Sequence, residues 1–154
     1  MNRMTKLLSV SLIAIAGFAF AQTALSPMEA HEAREAHMKL YGSQMKIMGD
    51  MAKGDAAYDA AAAQAAADKL LELAKVDQST WWPEGSDSVS VAGSRALPVI
   101  WTDMEGIMAK QSALEAAATN LQTAAGVDLA SLQAAFGPVG GTCGSCHEAY
   151  RKPE

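Results

Sequence analysis

The chain has few of the residues that build metal clusters: two cysteines and three histidines among 154 residues. A structural zinc site needs about four protein ligands. Both cysteines fall in one short stretch, and only His31 and His37 remain as further nitrogen donors, far away in sequence, which argues against zinc. No segment alternates polar and apolar residues as a half-buried strand does. Positive charge is also scarce, with 12 Lys and Arg against 17 Asp and Glu and a formal net charge of −5. An acidic balance argues against nucleic acid and for basic or neutral docking partners. No internal repeat is found, no low-complexity tract beyond alanine runs, and no catalytic acid–base or nucleophile constellation. The expectation is therefore a protein that is not an enzyme.

What is present is concentrated near the end of the chain. Gly141-Thr142-Cys143-Gly144-Ser145-Cys146-His147-Glu148 holds both cysteines and a histidine in the pattern Cys-x-x-Cys-His. This is the attachment pattern of c-type haem. On a helix, positions i, i+3 and i+4 share one face. Cys143 and Cys146 can then reach the two vinyl groups of one porphyrin, while His147 points at the iron. Other readings are weaker. A thioredoxin-like redox disulfide opens a helix after a strand, and no strand precedes this one. A plain structural disulfide would close a very short loop and leave His147 without a role.

The N-terminus supports export. Arg3 and Lys6 precede an uncharged apolar run from Leu7 to Phe20, and Ala19-Phe20-Ala21 has the small-x-small form of a cleavage site. Residues 1–21 read as a secretory signal peptide rather than a retained anchor, since the run is too short to span a bilayer comfortably. Residues 22–154 then form a single domain of 133 residues. Loss of Arg3 and Lys6 leaves ten cationic against seventeen acidic side chains, a balance of −7. No later segment is apolar enough to cross a membrane, so the expectation is a soluble periplasmic protein without membrane insertion. Haem c attachment in bacteria takes place outside the cytoplasm, in agreement with the motif.

Four helical segments follow from the pattern. Ser26-Pro27-Met28-Glu29 is a capping box with proline at the first helical position. The first helix runs to Lys53 with Met38, Tyr41, Met45, Met48 and Met51 on a stripe, and Gly54-Asp55 stops it. A second, alanine-rich helix is expected over Ala57 to Ala74. Val76 to Leu97, with Pro83, Gly85, Gly93 and several serines, is a long loop; a crossover is the ordinary reading and cofactor contact the minority one. Trp81-Trp82 is expected to plug the edge of the core. A third helix is expected from Pro98 to Ala125, and a fourth after Asp128, bent or interrupted at Gly137-Pro138 and resuming to Arg151. The fold class is all-α: an antiparallel four-helix bundle with a long crossover between helices two and three.

Cys-x-x-Cys-His at the end of such a pattern, within Ala135 to Arg151, resembles the class II c-type cytochromes, the cytochrome c′ family. The resemblance extends to Arg34-Glu35-Ala36-His37-Met38, to Ala52 to Asp59, and to Pro98-Val99-Ile100-Trp101. It implies one covalently bound haem c near the bundle's end, with His147 as fifth ligand, Arg151 near the haem, and Arg34 near a propionate. Spacing alone would leave Arg34 a solvated surface charge. Met38 lies one turn after Arg34 and meets the distal face in the family, as sixth ligand in low-spin members or as distal packing in high-spin ones. Without the resemblance it is one methionine of a stripe. His37 is a rival ligand, about 100° round the helix from Met38; His31 reads as surface. The implied function is one-electron transfer with redox partner proteins. The alternative is a five-coordinate, high-spin protein binding nitric oxide or carbon monoxide. A peroxidase would need more distal polar groups than Arg34 and His37 offer. Homodimerisation through the first two helices is common in the family.

Overall fold

A computed structural model describes residues 24–153. The expected signal peptide, residues 1–21, lies outside the described residues. The helices are α1 (Pro27–Lys53), α2 (Ala60–Ala74), α3 (Met104–Ala124) and α4 (Leu129–Tyr150), with a short 3-10 helix (Pro98–Thr102) ahead of α3. α1 packs against α2 and α4, and α3 packs against the same two. Neighbours run antiparallel. Gln133 near the start of α4 donates to the carbonyl of Ala52 near the end of α1, and Gln111 in α3 donates to that of Ala74 at the end of α2. The expected four-helix bundle is therefore observed.

Local chemistry explains where the elements begin and end. Ser26 Oγ accepts from Glu29 N, and Glu29 accepts in return from Ser26 N, so the capping box forms as expected. Gly54 closes α1 at φ 85°, a left-handed conformation that glycine adopts without a side-chain penalty. The core follows one buried face of each helix, with Met48, Leu70, Leu121, Leu132 and Val139 enclosed. Ala63, Ala66 and Ala67 are buried too; their small side chains let the neighbouring helices approach α2 closely.

Three expectations need correction. α2 begins at Ala60, not Ala57, because Asp59 accepts from Ala62 N and caps it. The third helix is broken at Asp103: Pro98–Thr102 is a 3-10 turn, and Asp103 accepts from Gly106 N to start α3 afresh. α4 runs without interruption through Gly137-Pro138. Proline there removes one backbone donor, but Ala134, whose carbonyl is freed, is exposed, so water can serve it. Beyond α4, Arg151 forms an isolated bridge with Ala96, which ties the end of the chain to the crossover.

A continuous helix through Pro138 carries a local cost. Pro138→Ala should raise the free energy of unfolding by about 1–3 kcal/mol, measured by urea denaturation; an unchanged or lower stability would show that the proline is accommodated at no cost.

Candidate functional site

At the end of the bundle where α4 finishes, the helices do not close on one another. They enclose a cavity of about 790 Å³, within the size range of cofactor sites. The residue spacing explains its walls. On α1, His31, Arg34, Glu35 and Met38 follow a helical i, i+3, i+4, i+7 pattern and face it together. On α3 the same spacing brings Met104, Ile107, Met108 and Gln111; the end of α4 adds Cys146, His147 and Tyr150 at i, i+1 and i+4, and Arg151 follows just beyond the helix. The crossover loop contributes Trp82 and residues 93–96. The long loop is thus both a crossover and a wall of the cavity.

Cys143 and Cys146 are half-buried free thiols one turn apart. Burial raises the pKa of each, so both are protonated at neutral pH. His147 is also half-buried; burial lowers its pKa, and the nearby cations Arg151 and Arg95 lower it further. A neutral imidazole is thereby present at pH 7, the form that binds a metal. Among the described residues no group of three or more His, Cys, Asp or Glu is placed to hold a metal ion.

Arg34 is neither solvated nor free. It is 6% exposed, and it donates to the carbonyl of Trp81, to Ser86 Oγ at 2.9 Å and to the carbonyl of Ser86 at 2.7 Å. The Trp82 ring lies beneath it, 4.7 Å from centroid to guanidinium carbon. The surface reading of Arg34 is therefore corrected: it lashes the crossover to α1. Two N–H donors, on Nε and Nη2, are left by these bonds, enough to meet a carboxylate at the cavity wall.

Met38 faces the cavity at 42% exposure, and it is not the only thioether there. Met104 and Met108, which fall within the third helix expected from sequence, stand on the cavity wall as well. His37 turns away. It is 4% exposed, sits edge-on to Tyr41 and Trp81 at centroid distances of 4.6 and 5.1 Å, and does not line the cavity. His31, expected at the surface, is half-buried on the cavity wall. Trp81 meets His37, and Trp82 joins the apolar cluster of Ile100, Ile107 and Tyr150. Arg151 caps α4 at the rim, exposed, its N–H bonded to the carbonyl of His147 at 3.0 Å.

Sequence reasoning missed Arg95 and Tyr150. Arg95 Nε and Nη2 donate to the carbonyl of Lys152 at 3.0 and 2.8 Å, which holds it on the wall beside His147. Nothing in a Gly- and Ser-rich loop marks such a residue in advance. Tyr150 was legible, since it lies one turn from both Cys146 and His147. Together the walls fit a flat apolar macrocycle with acidic side arms. The Cys146 thiol, a neutral imidazole, thioether and aromatic surfaces and a buried guanidinium stand on the walls, and Cys143, which does not line the cavity, lies one turn before Cys146 on α4; together they are the donor set that such a group needs.

Two predictions follow from these groups. Arg34→Ala leaves the Trp81 carbonyl without its donor and the Ser86 carbonyl with Ser94 Oγ alone, and it should destabilise the fold by about 2–4 kcal/mol, read by denaturant unfolding; a loss near zero would mean the loop holds itself. Burial pushes the Tyr41 hydroxyl up to about 12, and the bond to Asp103 does the same for Tyr150. Both values lie above that of a free phenol, roughly 10. The protonated forms therefore add stability that is complete below pH 10 and lost as pH rises through 12. An absorbance titration should find two of the three tyrosines ionising near pH 12; ionisation of all three near 10 would contradict the burial described.

Comparison with known proteins bears on the same residues. Residues 29–151 match the family model described as Cytochrome C′. The chain is 41% identical over 147 residues to cytochrome c-554 of Cereibacter sphaeroides, covering 96% of this chain and 95% of that protein. It is similar to the solved cytochrome c′ from Rhodobacter Spheriodes, with TM-score 0.82 and 38% identity over 84% of this chain and 100% of that one. It also resembles a ferrous variant of cytochrome c prime from Alcaligenes xylosoxidans with bound NO, at TM-score 0.72 and 34% identity over 84% and 98%. With its four-helix bundle and an end cavity lined by Cys146 and His147 of its Cys-x-x-Cys-His turn, the chain belongs to the cytochrome c′ family, whose proteins carry covalently bound haem c.

Proposed function

We propose that this protein is an exported one-electron carrier. Residues 1–21 direct it to the periplasm and are removed, and one haem c occupies the cavity at the end of the bundle. The observation that carries the reading is that Met38 of α1 and His147 of α4 stand on walls of the same cavity. When bound, the haem supplies an iron that alternates between Fe(III) and Fe(II). Cys143 and Cys146 hold it through thioethers, and His147 binds the iron through a neutral imidazole that burial and two flanking guanidiniums keep deprotonated. Met38 would offer its thioether to the iron from the α1 wall. A thioether favours the reduced ion, and an unchanged ligand set in both states keeps reorganisation small. Arg34 offers its remaining N–H donors to a propionate, and Arg151 stands at the rim. Trp82, Ile100 and Ile107 line the walls with apolar surface. No general base or nucleophile is required, in keeping with a protein that is not an enzyme. Redox partner proteins meet the exposed mouth of the cavity. Leu40 and Ile47, exposed on α1, support pairing of two copies through that helix.

A second reading has one specific observation in its favour. The relative from Alcaligenes xylosoxidans is solved with NO bound. In that case Met38 packs over the distal side without bonding, and iron stays five-coordinate and open to nitric oxide or carbon monoxide.

Spectra of the oxidised holoprotein separate the two. The carrier reading expects a low-spin paramagnetic resonance signal and an iron–thioether charge-transfer band that Met38→Ala abolishes. A high-spin signal in the unaltered protein overturns Met38 ligation and supports gas binding. If Met38→Ala keeps the band, Met104 and Met108 are the thioethers to replace next.

A further inference from the structure

Tyr150 closes α4 three residues after His147 and four after Cys146, so it shares a helix face with both. It is 8% exposed and packs with Ile100 and Ile107, and Cys146 lies against the same cluster. Its hydroxyl donates to Asp103 Oδ2 at 2.5 Å, while Asp103 Oδ1 accepts from Gly106 N at 3.1 Å. One carboxylate therefore starts α3 and receives the end of α4. Gly106 belongs to the same arrangement, because a methyl at that position would overlap both the Tyr150 hydroxyl and the Asp103 carboxylate. The phenol thus comes closer to the first turn of α3 than any residue other than glycine would allow. That same turn bears Met104 and Ile107, which form one wall of the cavity. The backbone adds a second tie, from Leu97 N to the carbonyl of Tyr150 at 2.9 Å.

From this geometry we infer that Tyr150, acting through Asp103, is a positioning residue for the haem site: it sets how closely the α3 wall stands to the turn of α4 bearing Cys146 and His147. The inference rests on the reading of this cavity as the haem c pocket. Helix ends fray first, and this bond joins the start of one helix to the end of another at the point where both border the cavity. Releasing it lets the α3 wall move out and admits water. Hydration favours the more highly charged Fe(III) state, since burial and local dielectric are among the levers a protein has on haem potential.

The test compares Tyr150→Phe, Asp103→Asn and Gly106→Ala with the unaltered holoprotein. At an applied potential that leaves the parent half oxidised, Tyr150→Phe should raise the Fe(III)/Fe(II) ratio at least about threefold. Amide exchange at Gly106 and Ile107 should quicken by roughly tenfold, with the C-terminal half of α3 unchanged. Asp103→Asn keeps a side chain that can both cap α3 and bond the phenol, and amide exchange at Gly106 and Ile107 should stay near the parent. Gly106→Ala forces the wall outward with both partners present, and it should shift the ratio in the same direction as Tyr150→Phe. A lowered unfolding midpoint in Tyr150→Phe with an unchanged ratio and unchanged local exchange means a merely structural bond and overturns the proposal. A parent protein that carries no haem would instead overturn the reading of the cavity itself.

Discussion

A guanidinium buried between a helix and a loop is the constraint on which this site depends. Arg34 cannot be solvated where it lies, so its charge must be met by protein oxygens. The crossover meets it with the carbonyls of Trp81 and Ser86 and the Ser86 hydroxyl, and Trp82 covers its face. These contacts tie the long loop to α1, where it forms part of the cavity wall. Beside them, residues of α1, α3 and α4 turn toward a shared space at the end of the bundle. The arrangement is reciprocal, because the loop that neutralises the buried charge is also the wall that a bound group would touch.

The bundle and the site divide along its length. Toward the α1–α2 turn, alanine faces and fully enclosed Met48, Leu121 and Leu132 make a closed core. Toward the end of α4, the second apolar cluster around Ile100, Ile107 and Tyr150 is small and borders the cavity. Methionine shows the difference most clearly. Met48 and Met51 are buried in the closed core, whereas Met38, Met104 and Met108 face the cavity. One residue type on the same helical period thus serves as filling in one half and as soft, adaptable wall in the other.

The pKa directions agree with this division. Burial keeps the two cysteines as thiols, and burial with two neighbouring guanidiniums keeps His147 neutral. Those are the protonation states that the proposed thioether attachment and iron ligation would start from. His37 is buried like His147 but lies between Tyr41 and Trp81 and away from the cavity. A rotation of about 100° between residues 37 and 38 decides which of the two side chains can face a bound group.

Local features were legible in the residues alone: the capping box at Ser26, the glycine stop at 54, the four helical stripes, and the motif at Cys143, Cys146 and His147. Each depends on groups within a few positions of one another, so spacing determines them. Tertiary structure decided what depends on distant partners. Asp103 breaks the third helix because its carboxylate caps α3 and also receives a phenol 47 residues away. Arg34 is buried because a loop 47 to 52 residues distant supplies the oxygens. Arg95 reaches His147 only because the chain's end folds back to hold it. Sequence separation hides such contacts, since no local propensity records which remote carbonyl will satisfy a given donor.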